Sequence, residues 1–141
     1  MQKKPLCHFS LTLTPSLGTY LKKQLPGYKT TISTDPLDLK TLDPNTEILG
    51  VFVDSKIDKQ VFKKLKKLKL ILALSTGYDN IDIKIAKKRG IAVCNVPDYG
   101  QNTVAEFALG LILALSRKIF WGVKRVKEGT YDYHGLRGFD L

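Results

Sequence analysis

No loop of the form G-x-G-x-x-G occurs in the 141 residues, so no segment offers a glycine-rich cradle for a pyrophosphate. Cysteine is scarce: Cys7 and Cys94 lack metal-ligand spacing, which argues against a structural zinc site. Both fall in apolar, strand-like segments, which predicts buried free thiols in a reducing compartment rather than a disulfide. Long apolar runs are missing too. The longest, residues 104–115, is interrupted by Glu106 and closed by Arg117 and Lys118, short of the roughly 20 residues that cross a bilayer, so no membrane partner is expected. Residues 6–13 follow a pair of lysines but are too short and too polar for a secretory signal and lack a small-residue cleavage site, which makes the cytoplasm the expected compartment.

Acidic residues are few, 13 against 23 Lys and Arg, for a formal charge of +10. Clustered lysines attract polyanions by displacing counterions. Lys56, Lys59, Lys63, Lys64, Lys66, Lys67 and Lys69, however, flank a single predicted helix, with little aromatic interleaving and no groove-reading motif. They read as a solvated helix face, and no nucleic acid is expected as a partner.

What is present is an α/β pattern. Residues 6–13 suggest a first strand, and a helix opens near Pro15 and Ser16 and closes at Pro26-Gly27. Residues 28–33 form a second strand. Asp35-Pro36 and Asp43-Pro44-Asn45 bracket a loop before a third strand at 48–53, and the lysine-rich segment 58–65 returns as a helix. Residues 70–74 are five apolar residues in succession, the pattern of a central strand buried on both faces. A helix at 81–89, stopped by Gly90, and a strand at 91–95, stopped by Pro97, complete the series. Repeated strand–helix units with short connections predict an open, mainly parallel sheet with helices on both faces and the flavodoxin-like order 2-1-3-4-5.

From Asn102 to about Lys127 the pattern changes to one long helix, expected to protrude. Its first half is apolar nearly all round and must be enclosed, by a partner subunit or by a following domain. The polar residues 129–141 have no core of their own and read as a linker. The expected organisation is therefore residues 1–100 as the flavodoxin-like domain, 101–128 as the long helix and 129–141 as linker.

Three segments carry a family pattern jointly: Ser75-Thr76-Gly77-Tyr78-Asp79-Asn80-Ile81-Asp82 after an apolar strand, Gly90-Ile91-Ala92-Val93-Cys94-Asn95-Val96-Pro97, and Asn102-Thr103-Val104-Ala105-Glu106. In this order and spacing the chain resembles the amino-terminal part of the D-isomer-specific 2-hydroxyacid dehydrogenases, well over residues 47–141 and weakly before. The resemblance implies hydride transfer between NAD(H) and the C2 position of a 2-oxo or D-2-hydroxy acid. It also implies a Rossmann nucleotide domain after the segment 135–141, and a homodimer formed through the long crossover helix. The family's catalytic arginine, carboxylate and histidine match nothing here, so no catalytic residue and no metal ligand is assigned, and the chain alone is expected to be inactive. His8 and His134, the two histidines, are not expected to serve as the acid/base.

Residue by residue, the resemblance places the substrate carboxylate at the backbone of Thr76 and Gly77. Main-chain N–H groups in a tight turn bind an anion without a charged side chain, and glycine lets it approach. Gly77 as an ordinary turn residue is the alternative. Tyr99 matches a position where lactate-specific relatives carry a substrate-facing tyrosine, or it is a plain loop aromatic. Thr103 matches the residue beside the cofactor, while its hydroxyl could also cap the helix. Phe107 stands where many relatives have histidine. Asp54 lies near a position that surrounds the substrate in relatives, where a second carboxylate would repel it; otherwise it is a surface aspartate. Two other readings stay open: a non-enzymatic NAD(H)-responsive corepressor-like binding protein, and the product of a truncated gene without independent activity.

Overall fold

In the computed structural model, which describes residues 4–11 and 15–141, five parallel strands lie in the order β2-β1-β3-β4-β5. They are β1 (Leu6–Ser10), β2 (Lys29–Ser33), β3 (Ile48–Val51), β4 (Leu70–Ala73) and β5 (Ala92–Cys94). Register is continuous across the sheet, with Phe9 beside Ile32 and Gly50, and Gly50 beside Leu72. This is the flavodoxin-like order that the sequence predicts. The expected strand residues 12 and 13 lie outside the described residues.

Helices cover both faces of the sheet. On one, Cys7, Phe9 and Leu11 pack with Leu21 and Leu25 of α1 (Pro15–Gln24) and its exit. On the other, Leu49, Val51, Ile71 and Ala73 pack with Val61 and Phe62 of α2 (Lys59–Lys64) and Ala86 of α3 (Ile83–Lys88). Local chemistry sets the boundaries of α2 and α3. Asp58 caps α2 by accepting from Gln60 N at 2.8 Å, and Asp82 caps α3 by accepting from Ile85 N at 3.0 Å. Gly90, at φ +66°, ends α3 in the left-handed conformation that glycine adopts without penalty. Arg89 then reaches back to the open end of α2, donating to the carbonyls of Phe62, Leu65 (3.0 Å) and Lys66 (3.3 Å).

β2 and β3 are joined without a helix. The connection is built on Asp38 and Asp43, whose carboxylates accept from Lys40 N and Asn45 N at 2.8 Å each, and it sends Leu37, Leu39 and Leu42 toward the core. Part of the lysine-rich segment is spent on holding it: Lys64 donates to Leu39 O, Lys67 to Asn45 Oδ1 at 2.8 Å, and Lys69 pairs with Glu47 at 2.6 Å. With no helix over this corner, β1 and β2 present the polar residues His8, Ser10, Thr31 and Ser33 there. His8, Thr31, Ser33, Asp35 and Asp38 line a cavity of about 560 Å³.

Two sequence expectations change. β4 is buried on one face only, at Ile71 and Ala73, while Leu70 and Leu72 stay half-exposed. β4 is next to the edge strand, and α1 is the single helix of the 1–99 unit packed on that face. For the same reason Cys94, on the edge strand β5, is exposed, whereas Cys7 is buried; both are free thiols.

The chain divides into two compact units, Met1–Tyr99 and Gly100–Leu141. In the second, the expected single helix is two, α4 (Gln101–Ser116) and α5 (Ile119–Lys127), separated at Arg117 and Lys118, where Lys118 takes a left-handed φ of 57°. The break frees the Ser116 carbonyl, which accepts from Phe139 N at 3.1 Å. The segment read as a linker is held to the corner between the helices. Arg117 pairs with Asp140 at 2.6 Å, and Arg125 donates to the carbonyls of Asp132 and His134 at 2.7 Å. The apolar stripe of α4 is exposed, with Val104, Phe107 and Leu115 each 68% or more accessible. Among the described residues no helix is long and apolar enough to cross a membrane.

Candidate functional site

All strands point the same way, so the loops leaving β3, β4 and β5 gather along one edge of the sheet, and ligands of open α/β sheets bind outside such carboxyl ends. These loops are tied together. Leu74 N donates to Val51 O at 2.9 Å, extending β4 past its last strand residue. Asn80 Nδ2 donates to the carbonyls of Phe52 (3.0 Å) and Ser55 (2.8 Å), and Ile57 N donates to Asn80 O at 2.8 Å. Ser55, buried, accepts from Leu37 N at 3.0 Å.

The turn 75–78 is held from the β5 side and from within. Val96 N donates to Ser75 O at 3.1 Å, Asn95 Nδ2 donates to Thr76 O at 2.8 Å, and Ser75 Oγ donates to Gly77 O at 2.7 Å. A trans peptide sets its N–H antiparallel to its C=O, and the described residues contain no cis peptide. Fixing the carbonyls of Ser75, Thr76 and Gly77 therefore fixes the N–H groups of Thr76, Gly77 and Tyr78 in the opposite direction. Those three amides donate to no acceptor among the described residues, and all three residues are exposed. Three consecutive N–H groups that donate to nothing among the described residues give this turn a positive partial charge suited to one small anion.

The turn's electrostatics limit that affinity. No Lys or Arg lies between Ser75 and Ile83, and Asp79 Oδ2 sits 3.5 Å from where a Cβ on Gly77 would be. Neutral amides working beside a carboxylate bind an anion weakly without a cation from elsewhere. Gly77 itself is outside the left-handed region, so its value lies in the open approach to its N–H and not in a conformation closed to other residues.

The structure brings Thr76 and Gly77 together and joins them to the loop that carries Tyr99. Tyr99 is 65% exposed and forms no hydrogen bond among the described residues. Asp54 lies on the loop held by Asn80, exposed, with Ser55 Oγ at 3.5 Å from its carboxylate. Thr103 belongs to the second unit, in the first turn of α4. Gly100 occupies the N-cap there with no side-chain hydrogen bond, so the capping role considered for Thr103 does not occur.

His8 is buried at the corner between β1 and β2. Thr31 Oγ1 donates to Cys7 O, so it accepts from His8 Nδ1–H at 2.9 Å, leaving Nε2 to accept from Ser10 Oγ–H at 3.1 Å. Burial lowers the His8 pKa and favours the neutral ring, whose tautomer these hydrogen bonds set. His134 is exposed and bound locally, its Nδ1 at 2.6 Å from Asp132 Oδ1. Hydrogen bonds from the His134 backbone and ring hold the Asp132 carboxyl below its usual range. Among the described residues no group of three or more His, Cys, Asp or Glu side chains could hold a metal ion. Sequence reasoning passed over Ser75, Asn80 and Asn95; each stands in the quoted motifs, but their partners lie up to 28 residues away.

The comparisons with known proteins fit this geometry. The family model for the catalytic domain of D-isomer specific 2-hydroxyacid dehydrogenases matches residues 9–132. The chain is 42% identical to 2-hydroxyacid dehydrogenase homolog 1 of Schizosaccharomyces pombe over 96 residues, 67% of this chain and 29% of that protein. It is 36% identical to the hydroxypyruvate reductase of Thermotoga maritima over 104 residues, 74% of this chain and 34% of that one. Among solved structures, D-lactate dehydrogenase from Aquifex aeolicus complexed with NAD and lactic acid superposes with a TM-score of 0.85 at 26% identity, over 96% of this chain and 41% of that chain. The chain thus spans about a third of the length of the curated relatives it matches. A family model covering most of the chain and a shared fold together place this chain in the D-isomer specific 2-hydroxyacid dehydrogenase family.

Proposed function

We propose that these residues supply the carboxylate-binding half of an NAD-dependent oxidoreductase that interconverts a small 2-oxo acid and its D-2-hydroxy acid. The observation that carries this reading is the turn 75–78, whose three outward amides stand at the carboxyl edge of the sheet. Thr76 and Gly77 hold the substrate carboxylate, Tyr99 walls the pocket, and Thr103 lies beside the nicotinamide. When bound, NADH would supply the hydride for reduction of the oxo acid and NAD+ would accept it from the hydroxy acid. Its pyrophosphate needs a glycine-rich turn that these 141 residues do not contain, so turnover depends on nucleotide-binding residues outside them and this chain alone is inactive. The exposed apolar stripe of α4 supports pairing of two copies through that helix, since an uncovered stripe of this size is otherwise an aggregation site. The cytoplasm is the proposed compartment.

A fusion of this chain to the nucleotide domain of the Aquifex aeolicus D-lactate dehydrogenase tests the reading. NADH consumption is followed with pyruvate, glyoxylate and hydroxypyruvate, against the unfused chain. Turnover by the fusion and none by the chain alone is the expected result. A correctly folded fusion that binds NADH yet consumes none with any of the three acids refutes it.

A further inference from the structure

The Thr76–Gly77 peptide has little of its own to keep it in place. A turn peptide can flip by counter-rotation of the torsions on its two sides, and glycine on the far side lowers the cost, because the flipped form places that residue at positive φ. Flipping would turn the Gly77 N–H inward and present the Thr76 carbonyl to any anion. No main-chain donor reaches that carbonyl. Its partner is the Asn95 amide, Nδ2 to O at 2.8 Å, half-buried just beyond β5. The sheet does not need this bond to continue, since Val96 N already joins the β5 extension to Ser75 O at 3.1 Å. Thr76 Oγ1 adds a second link by donating to Val96 O at 3.1 Å. The next peptide is held separately by Ser75 Oγ on Gly77 O at 2.7 Å, and Ser75 is buried.

We propose that Asn95 is a positioning residue of the anion seat: by holding the Thr76 carbonyl it keeps the Gly77 N–H aimed at the substrate carboxylate, as Ser75 does for the Tyr78 N–H. The inference rests on the reading of the turn as a carboxylate seat. Asn95 touches no substrate; it sets the fraction of molecules whose seat is competent. Apparent affinity falls in proportion to that fraction. A single neutral hydrogen bond biases such an equilibrium by roughly two- to tenfold, and that sets the ceiling on the affinity lost when Asn95 is removed.

The experiment titrates the ¹⁵N-labelled 141-residue chain with pyruvate at constant ionic strength, following the amides of Thr76, Gly77 and Tyr78. In Asn95→Ala the dissociation constant rises, by at most about tenfold, while the amide shifts of Leu49 and Ile71 in the core stay in place. Asn95→Asp, which matches the size but repels both the carbonyl and the anion, weakens binding further. Without pyruvate, Asn95→Ala shifts the Thr76 and Tyr78 amides toward the flipped form, and Gly77→Ala in that background reverses those shifts, because a Cβ disfavours the flipped peptide; a merely structural role for Asn95 would show no such reversal. Should Asn95→Ala fail to fold, Ser75→Ala carries the same test on the adjoining peptide. Wild-type binding at these amides with unchanged affinity in the variants overturns the role of Asn95 and leaves the carboxylate seat standing. No pyruvate-dependent shift at Thr76, Gly77 or Tyr78 in the wild type overturns both.

Discussion

Gly77 separates stability from binding. A Cβ built on it meets Asp79 Oδ2 at 3.5 Å, an ordinary van der Waals contact, and the backbone there is not left-handed. Gly77→Ala is therefore strain-free in the folded state and reduces the freedom of the unfolded chain, which stabilises by about 0.4–1 kcal/mol. For a chain of this size that raises the melting temperature by roughly 1–4 °C. Gly77→Val places an isopropyl group at the mouth of the turn. It obstructs one charge-assisted N–H contact worth about 1.5–3 kcal/mol, which weakens carboxylate binding by roughly 10- to 150-fold. Differential scanning calorimetry and amide-shift titration with pyruvate measure the two effects on the same samples. In a longer form that turns over, the matching result is a raised KM for the acid with NADH affinity unchanged. A Gly77→Val chain that binds pyruvate like the wild type would refute the placement of the anion at this turn. A Gly77→Ala chain that melts well below the wild type would refute the geometry.

Gly50→Ala is expected to do the opposite, because a Cβ there falls 2.2 Å from Phe9 Cδ1 inside the sheet's packed face. Overpacking costs about 1–3 kcal/mol, read from urea unfolding, and Phe9→Leu in the same chain should recover much of it; additive losses would show that the two residues do not meet. Arg89→Ala removes the donors on the open end of α2 and is expected to cost about 1–2 kcal/mol, and Arg89→Lys should not restore it, since the guanidinium serves Phe62 O from Nη1 and the Leu65 and Lys66 carbonyls from Nη2, a span that a single nitrogen does not reproduce. Equal stability of Arg89→Lys and wild type in urea would count against that account. His8 is held neutral, with its folded pKa below the unfolded value, so the folded state resists protonation and its contribution is present above the unfolded pKa of about 6.5. Stability should fall as pH drops from there toward the lower folded value, and His8→Gln should flatten that part of the urea-midpoint profile; an unchanged slope would refute the assignment.

The parts of the fold legible in sequence were those governed by neighbours along the chain. Asp58 and Asp82 cap helices two or three residues away, and Gly90 stops one, so α2 and α3 fall where composition puts them. The apolar run 70–74 announced a strand but not its exposure, because burial on the second face depends on which helices pack there. The break at Lys118 has no glycine or proline to signal it. Phe139 N and Asp140, more than twenty residues on, complete that corner, and propensity cannot express such a contact. The candidate site divides likewise: Thr76 and Gly77 stand out in their motif, whereas Asn95 acquires its part by reaching 19 residues back in the chain to a carbonyl.

On the proposed reading, the seat at 75–78 recognises through main-chain amides, while the side chains that aim them stand at Ser75 and Asn95. Holding an anion and shaping what surrounds it are thereby assigned to different positions. The side chains of Thr76 and Tyr78 are exposed beside the seat without being the groups that grip. Variation at Tyr78 can reshape preference among acids while the grip persists, which makes it the natural site for a randomised library, whereas Thr76 also carries the link to Val96 O. Changes at Ser75 or Asn95 would instead blunt recognition of every acid alike.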